Sequence, residues 1–129
     1  MHKEHLDNET KIIFLAILWA GGGPYSVSQI IHAYDWINRA IPSREEMEYA
    51  INFLLSNNLI KADHDKYYIT KDVGNEFEAY RKKAKKGKFK VVKMYFDKIK
   101  PHDIDEMRIK ISESEYKSAL KKYSEFMQS

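Results

Sequence analysis

The stretch IIFLAILWAGGGP, residues 12–24, places the tightest constraint on the fold. Ile12, Ile13, Phe14, Leu15, Ile17, Leu18 and Trp19 are apolar around most of a helical circumference, and such a helix has to be covered on more than one side. Gly21, Gly22, Gly23 and Pro24 then end it, because glycine supplies left-handed dihedrals and proline cannot continue a helix. The apolar run is far shorter than the roughly 20 residues that cross a bilayer. It follows His2, Lys3, Glu4, His5, Asp7 and Glu9, a mixed-charge start unlike the basic start of a secretory signal. The run therefore reads as a core helix capped at Asp7 or Asn8, either central to the domain or part of a subunit interface.

Further helices are marked by capping boxes. Ser26 with Gln29, Ser43 with Glu46 and Ser112 with Glu115 each have the spacing in which side chain and backbone satisfy one another's first-turn donors. Behind them come apolar stripes at three-and-four spacing: Val27, Ile30, Ile31, Tyr34 and Ile37; Met47, Ala50, Ile51, Leu54 and Leu55; Tyr116, Ala119, Leu120, Tyr123 and Phe126. Asn57 and Asn58 suit the end of the middle one. Residues 59–62 and 67–70 are strand-compatible runs around a polar tip of Asp63, His64, Asp65 and Lys66, which predicts a hairpin. Thr70 then caps a helix with Val73, Phe77, Tyr80 and Ala84 on its apolar stripe and a stop at Gly87. Phe89, Val92, Phe96 and Ile99 recur at helical spacing, although residues 89–95 alone also fit a strand. Pro101 and His102 end that element, and Met107, Ile109 and Ile111 alternate with Arg108 and Lys110 as in a strand.

The chain has 129 residues, 43% of them hydrophobic, which suits one domain with a single core. It has no cysteine, so disulfide scaffolds and thiolate metal sites are excluded, and a cytoplasmic setting is expected. The net charge of +3 hides an uneven distribution. Residues 1–80 carry 7 basic and 12 acidic side chains, residues 81–100 carry 10 and 1, and residues 101–129 carry 5 and 6. An anionic partner is to be sought at RKKAKKGKFKVVK, where a phosphate-tracking surface with nearby aromatic platforms competes with a merely solvated helix face.

The histidines show no recognised metal-ligand spacing, and neither a metal nor another cofactor is expected. The glycine run follows a helix and lacks the lysine-hydroxyl ending of a phosphate loop. Scattered Ser, His and Asp form no nucleophile-and-base pattern, so no enzyme is expected.

Three helices, a tight turn between the second and third, and then a hairpin are the order of a winged helix-turn-helix. At INFLLSNNLIKADHDKYYITKDVG, residues 51–74, the sequence also resembles that superfamily, over roughly residues 8–80. The implied fold is mainly α with a small β-hairpin: a winged helix-turn-helix over residues 7–86, with a C-terminal helical extension over residues 87–129 that packs on it or mediates dimerisation. The resemblance makes residues 26–38 the supporting helix, 43–57 the recognition helix and 60–70 the wing.

It also implies duplex DNA as partner, with Arg44 and Asn52 suited to guanine and adenine edges and Lys66 on the wing. Lys82, Lys83, Lys85, Lys86, Lys88 and Lys90 would supply affinity. Against this, the third helix carries Glu45, Glu46 and Glu48 beside its one base, an electrostatic mismatch with phosphates. A winged helix that docks another protein is the competing reading. A homodimer is expected, because the first and last helices carry more apolar surface than a three-helix core needs. A membrane partner is not.

Overall fold

The computed structural model describes residues 2–128. Six helices and one hairpin follow in the order α1 (His2–Trp19), α2 (Val27–Asn38), α3 (Arg44–Ser56), β1 (Lys61–Asp63), β2 (Lys66–Tyr68), α4 (Lys71–Ala84), α5 (Lys88–Ile99) and α6 (Glu113–Gln128). The fold is mainly α with one small antiparallel hairpin. Among the described residues no helix is long and apolar enough to cross a membrane.

The three capping boxes are formed. Ser26 N–H donates to Gln29 at 2.9 Å and Ser43 N–H to Glu46 at 2.8 Å, with the reciprocal bonds closed. Ser112 and Glu115 exchange the same pair. The glycine run ends α1 as expected, with Gly21, Gly22 and Gly23 all at positive φ. Gly23 is required by space as well: a Cβ there would lie 2.5 Å from the carbonyl oxygen of Tyr67. That close approach arises because the segment after α1 lies along β2. Tyr25 and Tyr67 exchange backbone hydrogen bonds of 2.8 and 2.9 Å, and Ile69 N–H reaches Gly22 O at 2.7 Å.

Several boundaries differ from the sequence expectation. Helix α1 begins at His2 rather than near Asp7, since its polar first turns are held by tertiary contacts: Lys3 pairs with Asp103 at 2.7 Å, and Asp7 accepts from the Tyr49 hydroxyl at 2.8 Å. The strands sit closer to the hairpin tip, in the register Lys61↔Tyr68, Ala62↔Tyr67 and Asp63↔Lys66, which leaves His64 and Asp65 as the turn. Leu59 and Ile60 turn into the core instead. Helix α4 ends at Ala84 on a left-handed Lys85, and Gly87 opens α5 rather than closing α4. On α5 the buried face is Val91, Val92, Tyr95 and Phe96, and Phe89 is half exposed. Residues 107–111 form no strand, for a reason given below.

Helix α1 is central, as its apolar circumference demands. Ile13, Phe14, Leu15, Ala16 and Ile17 are all buried, between α2 and α3 on one side and α5 on another. Phe14 packs edge-on to Phe77 at 6.0 Å and to Phe96 at 5.5 Å, and Phe77 meets Tyr95 at 5.3 Å, so aromatic side chains tie α1, α4 and α5 together. Helix α6 lies on α2, where Tyr123 donates to Asp35 and the Phe126 ring meets His32 at a tilt with centres 4.8 Å apart, while Tyr116 donates to Pro42 O in the following turn at 2.5 Å. Much of the apolar surface of α1 and α6 that suggested a dimer is packed within one chain, while Trp19 and Phe126 stay 51% and 61% exposed. The core runs through the predicted boundary at residue 87 and includes Val91, Phe96, Ile111 and Tyr123.

Met47, Ile51 and Leu54 are fully buried. Ile51→Asp places an unpaired charge among them and is expected to cost on the order of 4 kcal/mol, enough to unfold most of the protein. A denaturant melt indistinguishable from wild type would refute this packing. Two tyrosines make stability sensitive to alkali. Tyr123 is pushed up to about 12 by its hydrogen bond to Asp35 and by burial, and Tyr95 to about 12 mainly by burial, from an ordinary value of 10.0. A raised folded-state value favours the neutral phenol, so the stabilisation is complete below 10.0 and is lost as pH rises through about 12. Denaturant midpoints should fall across that window, and by less in Tyr123→Phe.

Candidate nucleic-acid interface

The outward face of α3 is the first place to look for contacts, and it is covered. Residues 100–112, between α5 and α6, run along it as a strap. Asn52 sits at the centre with its side chain fully buried. Its carbonyl oxygen accepts from the backbone N–H of Arg108 at 2.7 Å and of Ile109 at 3.0 Å, and its amide donates to Ile109 O at 3.0 Å and to Glu48 O at 2.9 Å. Glu48 accepts from Ile111 N–H at 2.8 Å and from Arg44 at 3.1 Å, and Arg44 also donates to Ile111 O at 2.9 Å. Further along, Asn57 exchanges bonds of 2.9 Å with the backbone of His102, and Arg108 caps Leu55 O at 2.7 Å. Ser56 donates to Asp105 at 2.8 Å. That bond, with Arg108 beside it, holds the Asp105 carboxyl below its ordinary value.

This seam explains why residues 107–111 have strand-like alternation without a strand. Ile111 is buried and Met107 exposed, but the backbone partners are side chains of a helix rather than a neighbouring strand. It also corrects the expectation for the third helix. Arg44 and Asn52 are brought onto one face, but the strap occupies that face. Asn52 has its amide oxygen and both donors engaged, so no edge is left for a base.

The lysines divide into groups. Lys82, Lys83 and Lys85 line one groove at the α4–α5 junction together with Glu76, Tyr80 and Lys98. Lys98 Nζ stands 5.0 Å from the centre of the half-buried Tyr80 ring, so one cation of the groove lies over its aromatic face. The basic last turn of α4 is also favoured by its own helix dipole. Arg81 is engaged by Glu78, at 2.5 Å. Lys86 and Lys90 are exposed beside the junction but do not line the groove. Lys88 leaves the group: its ammonium lies over the Trp19 ring, in a separate hollow formed with Leu15, Trp36, Ile37 and Phe89. Lys66 is exposed on the hairpin, outside the groove, and the turn residues His64 and Asp65 border the strap and α6 instead. Lys98 was missing from the sequence-based set because it is far along the next helix, and only the packing of α5 on α4 brings it back to Lys82 and Lys83.

Comparison with known protein families, curated proteins and solved structures finds no match to this chain.

The strap makes a direct prediction. Asn52→Ala strips the acceptor from two backbone donors and is expected to cost on the order of 2 to 3 kcal/mol. Hydrogen exchange at the Arg108 and Ile109 amides should accelerate far more than exchange in α1. Unchanged protection at both amides would contradict the seam.

Proposed function

We propose that this protein binds nucleic acid through the lysine groove between α4 and α5, holding the phosphodiester backbone with little preference for sequence. The observation that carries the reading is the convergence of Lys82, Lys83, Lys85 and Lys98 around Tyr80. Ammonium groups neutralise phosphates and release their counterions, and an aromatic face in the same groove offers a base a stacking surface that any sequence satisfies. In this reading the winged-helix-like body over residues 8–80 is a scaffold, and a cytoplasmic setting suits it. Specific base reading by α3 is no part of the proposal, because the strap holds Arg44 and Asn52.

One observation favours a second reading, a protein-docking module. Trp19, Trp36 and Phe89 are 51%, 75% and 50% exposed and border one hollow, a concentration of aromatic surface suited to a protein partner or a second copy.

Mobility shifts with mixed duplex and single-stranded DNA across a salt series separate the two. Binding is expected at low salt. Reversal of Lys82, Lys83 and Lys85 to Glu should weaken it for all sequences and flatten the log-log salt slope by about 2.7, at about 0.9 per phosphate contact on duplex. Lys66→Ala, on the exposed hairpin outside the groove, should by contrast leave binding unchanged. Absence of any shift with either nucleic acid at low salt would reject the proposal and turn attention to the Trp36 surface.

A further inference from the structure

We propose that His5, Glu9 and Glu46 form a binding site for a divalent transition-metal ion, of which Zn2+ is the best match. His5 and Glu9 are four residues apart on α1 and therefore share a face one turn apart. Glu46 enters from the first turn of α3, where the Ser43 capping box fixes its position. One ligand atom from each of the three lies within 4.8 Å of the others, and the His5 ring already contacts the Glu46 carboxylate directly. Zinc bonds of about 2.0 to 2.2 Å place tetrahedral ligand atoms roughly 3.3 Å apart, so small side-chain rotations complete the set.

The charge balance points the same way. Glu9 and Glu46 are both half-buried, and among the described residues neither is paired with a lysine or arginine. The ionic contact of Glu46 is with His5, and a divalent cation held between the two carboxylates would balance both negative charges. An imidazole beside two carboxylates selects a borderline ion such as Zn2+ over Mg2+, which prefers oxygen alone.

The surroundings orient the ligands as metal sites require. The Tyr34 hydroxyl donates to Glu9 and is itself held by the Asn38 amide at 3.0 Å. Ser43 N–H occupies one oxygen of Glu46 and leaves the other toward His5. Because His5 is exposed, the fourth position faces solvent, which makes the site open rather than a closed structural one. The sequence hid this set: α1 begins earlier than its apolar run, and Glu46 already had a role as a capping residue.

Calorimetric titration of the untagged full chain with Zn2+ and Mg2+, paired with thermal melts, tests the assignment. One Zn2+ per chain is expected, with a melting temperature that rises with zinc concentration and much weaker binding of Mg2+. His5→Ala, at an exposed position, should reduce zinc affinity at least tenfold. Glu46→Gln should do the same while keeping the capping box. The paired control His64→Ala with His102→Ala should bind zinc as wild type does. The site is overturned by an absence of heat and melting shift at millimolar Zn2+, by equal affinity for Mg2+, or by wild-type zinc affinity in His5→Ala.

Discussion

The structure depends on the burial of one amide. Asn52 carries donors and an acceptor into the middle of the molecule, where any of them left unpaired would cost free energy. The chain meets that demand with a segment that has no regular structure of its own. The strap supplies two N–H groups and a carbonyl to Asn52, and Glu48, Asn57 and Leu55 O take up the Ile111 and His102 N–H groups and the Arg108 guanidinium. Because the strap is tethered to α5 at one end and α6 at the other, fixing it on α3 also fixes how far α6 can reach. The contacts of Tyr116 with Pro42 and of Tyr123 with Asp35 follow from that placement.

The acid excess of α3, puzzling for a helix expected to approach phosphates, has a structural use. Glu46 closes the capping box and Glu48 serves as acceptor for the strap and for Arg44. A carboxylate accepts several hydrogen bonds at once, which suits a helix that has to satisfy backbone donors from another segment. The positive charge is correspondingly elsewhere, in a groove that two later helices make between them.

How much of this the sequence disclosed depended on the range of the interaction concerned. Capping boxes, the glycine stop after α1 and the apolar stripe of α3 are local, and each was readable from a few adjacent residues. Phe89 was misplaced because α5 has apolar residues at both 89, 92 and 96 and 91, 92, 95 and 96, and only the position of α1 decides which set is buried. Asn52 reads as a surface residue on an amphipathic helix, because its partners are 56 and 57 positions away. For the candidate sites the pattern repeats. The lysine run was visible as composition, but its division between the Tyr80 groove and the Trp19 hollow was not.

The strap also bears on the order in which the molecule is assembled during synthesis. Residues 44–56 leave the ribosome well before residues 102–111, so for an interval α3 presents the face that the strap will later close. What it presents then is Asn52, Glu48, Arg44 and Asn57, groups that water satisfies about as well as the strap does. A nascent chain paused at that stage exposes a stripe there whose polar groups water can hold in the meantime. The late-arriving segment closes on it by exchanging that water for its own backbone.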